Sequence, residues 1–273
     1  MTVSPLQKLY TPLPDLGAYF RRIGFQDTPK IDLECLEKLV LGQLRNIPFE
    51  DLDVFHGHKE PSLETEALFK KIIINKRGGY CFELNGLFAK LLQAVGFSCR
   101  SHMARVVWNY PHLTPPSHQV NIVTLDGQDY FCDVGFGGPI PYCPLPIILE
   151  REQVCVVTGR KYRFTKEGDW FTIAAEFEGS FRPMLMFLDT PCQPIDFLPL
   201  NSFCAHSPIE PFIHKQMVWL AAEAGRRSID KDILKVEIDG KTTEKVLRTE
   251  EELRDALKTW FGIGYDEPVR DWH

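Results

Sequence analysis

The chain is expected to fold as an α+β protein. Three observations carry that expectation: apolar residues recur at helical spacing through the first third, short apolar runs separated by turn residues fill the middle, and both patterns mix in the last third. A length of 273 residues suits one large domain or two to three closely packed lobes.

The helical reading begins at Asp32, which can cap the stretch where Leu33, Leu36, Val40 and Leu44 recur on one face. Ser62 is expected to open a second amphipathic stretch running through Leu68 to Ile74. A third helix has the clearest pattern, with Leu84, Leu87, Phe88, Leu91, Leu92 and Val95 on one stripe and Gly96 placed to stop it. From about Cys99 the period shifts to strands. Val120, Ile122 and Val123 to Leu125 precede Asp126-Gly127, and Tyr130 to Val134 follow, which predicts a hairpin closed by a two-residue turn. Further strands are expected at Val154 to Val157, Lys161 to Phe164 and Trp170 to Ala175, giving a meander or small barrel. Prolines at 183, 191, 194, 199, 208 and 211 mark a connecting segment and a soft boundary. Beyond it, Asp239-Gly240 predicts another hairpin. Thr249 and Glu252 form a candidate capping box for a last helix with Leu253, Ala256, Leu257, Trp260 and Phe261 on its apolar face.

Composition is that of an ordinary globular chain, 44% hydrophobic and 25% charged, with a net charge of −6. That balance argues against nucleic acid or a membrane surface as partner, and an anionic ligand such as a CoA thioester would need a local basic patch. Met1 to Phe20 carries Pro5, Pro12 and Pro14 and lacks the apolar core of a signal peptide. No run of about 18 apolar residues occurs. The protein is therefore expected to be cytoplasmic, with its eight cysteines mostly reduced. They form no Cys-x-x-Cys pair, and no metal site is expected; His56, His58 and His112 are read as solvent-exposed rather than as ligands.

Cys81 follows Arg77-Gly78-Gly79-Tyr80 and lies three residues before Leu84, so it extends the apolar stripe of the third helix back to its first turn. A thiol there faces the interior from a helix N-terminus, where the dipole favours a nucleophilic cysteine. By itself the position suits a small core residue equally well. The hairpin supplies a second observation. If Asp126-Gly127 is a two-residue loop, Leu125 faces Gln128, Val120 falls opposite Asp133, and His118 lies two residues further out on the same face. Such diagonal neighbours stand roughly 7–8 Å apart at the backbone, within reach for a carboxylate and an imidazole. Asp133 sits in the apolar run Tyr130-Phe131-Cys132-Asp133-Val134 and needs a partner. Cys81, His118 and Asp133 are thus candidates for nucleophile, base and orienter.

At these residues the sequence resembles a known family. Arg77-Gly78-Gly79-Tyr80-Cys81-Phe82-Glu83-Leu84-Asn85 is similar to the nucleophile segment of the arylamine N-acetyltransferases, and Asp133-Val134-Gly135-Phe136-Gly137 to their Asp segment. Pro48-Phe49-Glu50-Asp51-Leu52 resembles a third motif, with Asp51 where the family typically has Asn. Asn201-Ser202-Phe203, with Ser207-Pro208 and Phe212, resembles the interlobe segment.

The resemblance implies an N-terminal helical bundle over 1–97, a central β-barrel over 98–190, an interlobe segment over 191–212 and a C-terminal α/β lid over 213–273, around a core like that of cysteine proteases and transglutaminases. It implies a ping-pong reaction in which acetyl-CoA acylates Cys81 and an arylamine, hydrazine or arylhydroxylamine takes the acetyl group. His118 would then be the base and Asp133 its orienter. Phe49, Val107 and Phe136 match acceptor-lining positions, and Thr114 and Ser117 fall in the CoA-contacting loop, where Pro115-Pro116 departs from the usual small residues. Arg22 and Arg77 match family positions near Glu50, as scaffolding. A Cys–His–Asp triad also serves thiol hydrolases and amidases, and a non-catalytic relative is a third reading. Aromatic walls at Phe49 and Phe136, which shield a thioester from water, favour the transferase.

Overall fold

The computed structural model describes residues 4–223 and 225–270. After a 3-10 turn, Pro5–Tyr10, the first third folds as α1 (Leu16–Ile23), α2 (Leu33–Asn46), a two-residue strand β1 (Phe49–Glu50), α3 (Leu52–Phe55), α4 (Thr65–Leu68) and α5 (Cys81–Val95). Asp32 caps α2 as expected, its carboxylate accepting from the Cys35 amide at 2.8 Å, and Gly96 ends α5 in the left-handed conformation at φ 108°. The stretch expected to open at Ser62 starts later, at Thr65. The Ser62 hydroxyl instead accepts from the Glu64 amide two residues on, a local turn that delays the helix. From Phe69 to Ile74 the same helix widens to π geometry.

The middle third is an eight-stranded antiparallel sheet: β2 (Ser98–Val106), β3 (Pro116–Leu125), β4 (Gln128–Cys132), β5 (Leu145–Pro146), β6 (Glu152–Val154), β7 (Lys161–Glu167), β8 (Trp170–Phe177) and β9 (Ser180–Leu188). The order is β5-β4-β3-β2-β9-β8-β7-β6. Its edge strands β5 and β6 are joined by residues 147–151, and Leu149 bridges to Phe164 of β7, so the sheet curls into a nearly closed barrel. Val120, Ile122, Phe131, Phe164, Ile173, Leu185 and Phe187 fill the inside. Each such side chain contributes about 1.5–3 kcal/mol through burial. Asp126 and Gly127 have φ of 48° and 79°, the geometry of a type I′ turn, and Leu125 pairs with Gln128 as the sequence predicts. Pro183 departs from expectation: it lies inside β9, not in a connection. It sits where the β8–β9 register shifts, a place that spares proline a ladder hydrogen bond.

The remainder holds α6 (Leu198–His206), β10 (Met217–Ala222), β11 (Gly225–Asp230), β12 (Ile233–Ile238), β13 (Lys241–Val246) and α7 (Glu250–Phe261). These four strands form an antiparallel sheet to which the first third adds β1 as an edge, Phe49 pairing with Trp219 and Glu50 with Val218. Asp239-Gly240 makes the expected hairpin, and the Thr249 hydroxyl caps α7 by accepting from the Glu252 amide at 3.2 Å. Leu220, Ile229, Leu234, Leu253, Leu257 and Phe261 pack there with Leu52 of α3. No helix among the described residues is long and apolar enough to cross a membrane.

Candidate active site

Cys81 is the first residue of α5, only 2% exposed, and its thiol approaches the Ser117 carbonyl at 3.5 Å. The glycines ahead of it serve close approach: a Cβ on Gly78 would lie 2.0 Å from the Pro48 carbonyl oxygen, and Glu50 donates its amide to the Gly79 carbonyl. The backbone before Cys81 is thereby zipped onto β1. Behind it, Glu50 accepts from Arg77, from the Gly78 amide and from the Leu52 amide, while Lys71 bridges Asp53 and Glu83 at 2.8 Å each. Arg22 does not join this cluster. Its guanidinium is used on the carbonyls of Asn46 and Ile72, capping α2 and the π-helical turn, so the scaffold is Arg77 and Lys71 with three carboxylates.

The hairpin delivers the other two groups. His118 Nε2 and Asp133 Oδ2 are 2.7 Å apart, both side chains buried. Asp133 is fully partnered: its Oδ1 accepts from Asn85 Nδ2 at 2.9 Å and from the Gly135 amide at 2.8 Å. Asn85 lies one helical turn after Cys81 and also accepts from the Val134 amide, so α5 positions both the thiol and the carboxylate. In the sequence, Asn85 is visible only as part of the motif after Cys81, a polar residue four positions beyond it. Cys81 also acts electrostatically on the His118 ring. Burial alone would lower the His118 pKa, but the Asp133 carboxylate and Cys81 outweigh it and raise it from 6.5 to about 10. A persistent imidazolium therefore faces the thiol.

A cavity of about 420 Å³ opens onto Cys81 and His118. Phe49, Phe136, Thr114 and Ser117 line it, as do Phe212 and Trp219. The Phe136 ring stands edge-on to His118 at 5.7 Å. Asp133 lies behind His118, outside the wall. Val107 is also outside it, and Val106 takes that place. The β2–β3 register shifts between Ala104 and Arg105, a bulge that changes which neighbour faces inward. The Thr114 hydroxyl donates to the Val106 carbonyl at 2.7 Å, holding the loop before His118. Among the described residues no group of His, Cys, Asp or Glu is arranged to hold a metal ion. His56, expected at the surface, is buried: Nε2 meets Gln216 Oε1 at 2.9 Å, and Nδ1 accepts from the Arg270 amide.

A family profile described as N-acetyltransferase matches residues 32–269. The chain belongs to the arylamine N-acetyltransferase family. It is 34% identical over 254 residues to the arylamine N-acetyltransferase of Mycolicibacterium smegmatis, covering 91% of this chain and 92% of that one. The solved arylamine N-acetyltransferase of Salmonella typhimurium superposes with a TM-score of 0.87 at 29% identity, over 94% of each chain. That of Mycobacterium marinum, solved in complex with CoA, gives a TM-score of 0.83 at 29% identity over 92% and 93%. As a member of the arylamine N-acetyltransferases, the protein is an acyltransferase.

Proposed function

We propose that the protein transfers acetyl groups from acetyl-CoA to arylamines, arylhydrazines or arylhydroxylamines in two half-reactions through a thioester on Cys81. The observation that carries this reading is the buried 2.7 Å contact of His118 with Asp133, on a ring that lines the same cavity as the buried Cys81. In the first half-reaction the Cys81 sulfur attacks the acetyl carbonyl, the bond from that carbon to the CoA sulfur breaks, and CoA leaves with the proton held on His118. In the second, the amine nitrogen attacks the acetyl-Cys81 carbonyl, the carbon–sulfur bond breaks, and the surplus amine proton returns to the Cys81–His118 pair. Asp133 keeps the ring in register throughout.

The donor is carried over from the CoA-bound M. marinum relative. Hydroxylated acceptors are supported by a Salmonella typhimurium relative named as an N-hydroxyarylamine O-acetyltransferase, 35% identical over 200 residues. Phe49 and Phe136 would flank the acceptor ring and exclude water from the thioester. Thr114 and Ser117 would meet the CoA arm, with Ser117 the freer hydroxyl because Thr114 already donates to Val106. In this reading the segments 1–97, 98–190, 191–212 and 213–273 act as bundle, barrel, interlobe connection and lid around a cysteine-protease-like core, in the cytoplasm. Incubation with acetyl-CoA followed by intact-mass and peptide mapping tests it. One acetyl group on Cys81, removed by an aromatic amine, is the expected result. A thiol hydrolase would instead discharge to water at the same rate with or without amine.

A further inference from the structure

The charged groups that line the catalytic cavity are nearly all spoken for. His118 is held by Asp133, Arg226 by Glu237 at 2.7 Å, and Asp230 by Lys215 at 2.9 Å. Glu210 differs. It lines the same cavity and is only 7% exposed, yet no hydrogen bond or ion pair among the described residues reaches its carboxylate. It precedes the short turn Pro211–Ile213 without capping it, so the backbone does not use the carboxylate either. Its charge is felt by Cys204, a thiol that approaches the same Ser117 carbonyl as Cys81. Phe212, two residues on, is part of the aromatic wall. Burial raises the Glu210 pKa, with no compensating partner.

A carboxylate open to the cavity with no protein donor can pair with whatever donor a ligand brings there. An aromatic ring between Phe49, Phe136 and Phe212 would bring its substituents to that wall. We infer that Glu210 is the specificity-determining residue for the acceptor: its carboxylate takes the positive charge or hydrogen-bond donor on a second substituent of the aromatic amine, and disfavours anionic acceptors. The inference rests on the acetyltransferase reading above. Sites built to pair a polar substituent discriminate far more strongly than apolar ones, because the mismatch leaves a buried group unpaired.

The test compares 4-aminobenzamidine, 4-methylaniline and 4-aminobenzoate as acceptors for wild type and Glu210→Gln. The readout is the wild-type-to-variant ratio of kcat/KM for each amine, in which the nucleophilicity of the amine cancels. The amidine ratio should exceed the methyl ratio by about tenfold or more, and the carboxylate ratio should fall below it. Glu210→Lys should reverse the order of the cationic and anionic acceptors. Equal ratios for all three amines would overturn the inference, as would a loss confined to acetylation of Cys81 by acetyl-CoA, which would put Glu210 on the donor side. A measurement without variants covers the case of an unfolded one: on wild type, benzamidine should compete with 4-methylaniline more strongly than benzoate does, and the opposite order contradicts the inference. Failure of wild type to acetylate these three amines, an arylhydrazine and an arylhydroxylamine alike would overturn the acetyltransferase reading itself, and this inference with it.

Discussion

Asp133 is the residue on which the site depends most. Its carboxylate meets His118 on one oxygen and Asn85 with the Gly135 amide on the other, which satisfies a charge that burial would otherwise make expensive. Asp133→Asn would remove the charge that sustains the imidazolium and set an amide group where the ring nitrogen needs an acceptor. Single-turnover acetylation by acetyl-CoA should slow by at least about a hundredfold in a variant shown by circular dichroism to be folded. The pH dependence has a definite sign. His118 is raised from 6.5 to about 10, so its contribution to stability is complete below 6.5 and is lost as pH rises through 10. Wild type should therefore lose thermal stability between pH 7 and 10.5, and Asp133→Asn should show a flatter profile over that window. Near wild-type acetylation together with an unchanged profile would remove Asp133 from its role.

At the scale of elements, the site is made where α5 meets the end of the β3–β4 hairpin. Gly135 allows that meeting: a Cβ there would lie 2.9 Å from the Cys81 Cα and 2.8 Å from Asn85 Nδ2. Gly135→Ala should push the strand end away from the helix, costing about 1–3 kcal/mol in stability and, in the proposed reaction, tenfold or more in acetylation rate, because a positioned reacting group tolerates little displacement. Chemical denaturation with single-turnover kinetics measures both, and full activity would show that the contact yields without cost. These two elements were readable from sequence because each is specified locally. The stripe from Leu84 to Val95 sets the phase of the helix that carries Cys81, and Asp126-Gly127 sets the register that puts His118 beside Asp133. Elements specified by context were less readable. Met217–Ala222 is an apolar run buried along nearly its whole length, which gives no period to detect, and Pro183 argued against the strand it occupies. Val107 was matched to an acceptor-lining position by resemblance alone, whereas the cavity wall here holds Val106. Glu210 and Trp219 reach the cavity only through long-range folding.

Across the whole molecule, one joint links the surroundings of Cys81 to the five-stranded sheet. Asp51, beside β1, accepts from the Met217 amide at 2.8 Å through Oδ1, while Oδ2 is buried with no partner. Burial, with Glu50 nearby and the Met217 amide opposing, raises its pKa well above 3.8. A raised carboxyl contributes stability in full below its ordinary value and loses it as pH rises through the folded value. Asp51→Asn, the residue type typical of the family here, should then leave stability near wild type at pH 4.5 and raise it by about 1 kcal/mol at pH 8. Urea unfolding at the two pH values decides this, and a variant weakened at pH 8 would mean that the charged carboxylate holds the joint.

That joint, the aromatic wall and the hairpin converge on a single claim, that Cys81 carries the acetyl group between donor and acceptor. The most direct measurement isolates the protein after reaction with acetyl-CoA, free of CoA, and adds an aromatic amine while following intact mass. The single acetyl on Cys81 should disappear as an equal amount of acetylated amine forms, faster than it is lost to water alone. Product formed only while acetyl-CoA remains present, with no acetyl ever found on Cys81, would contradict it.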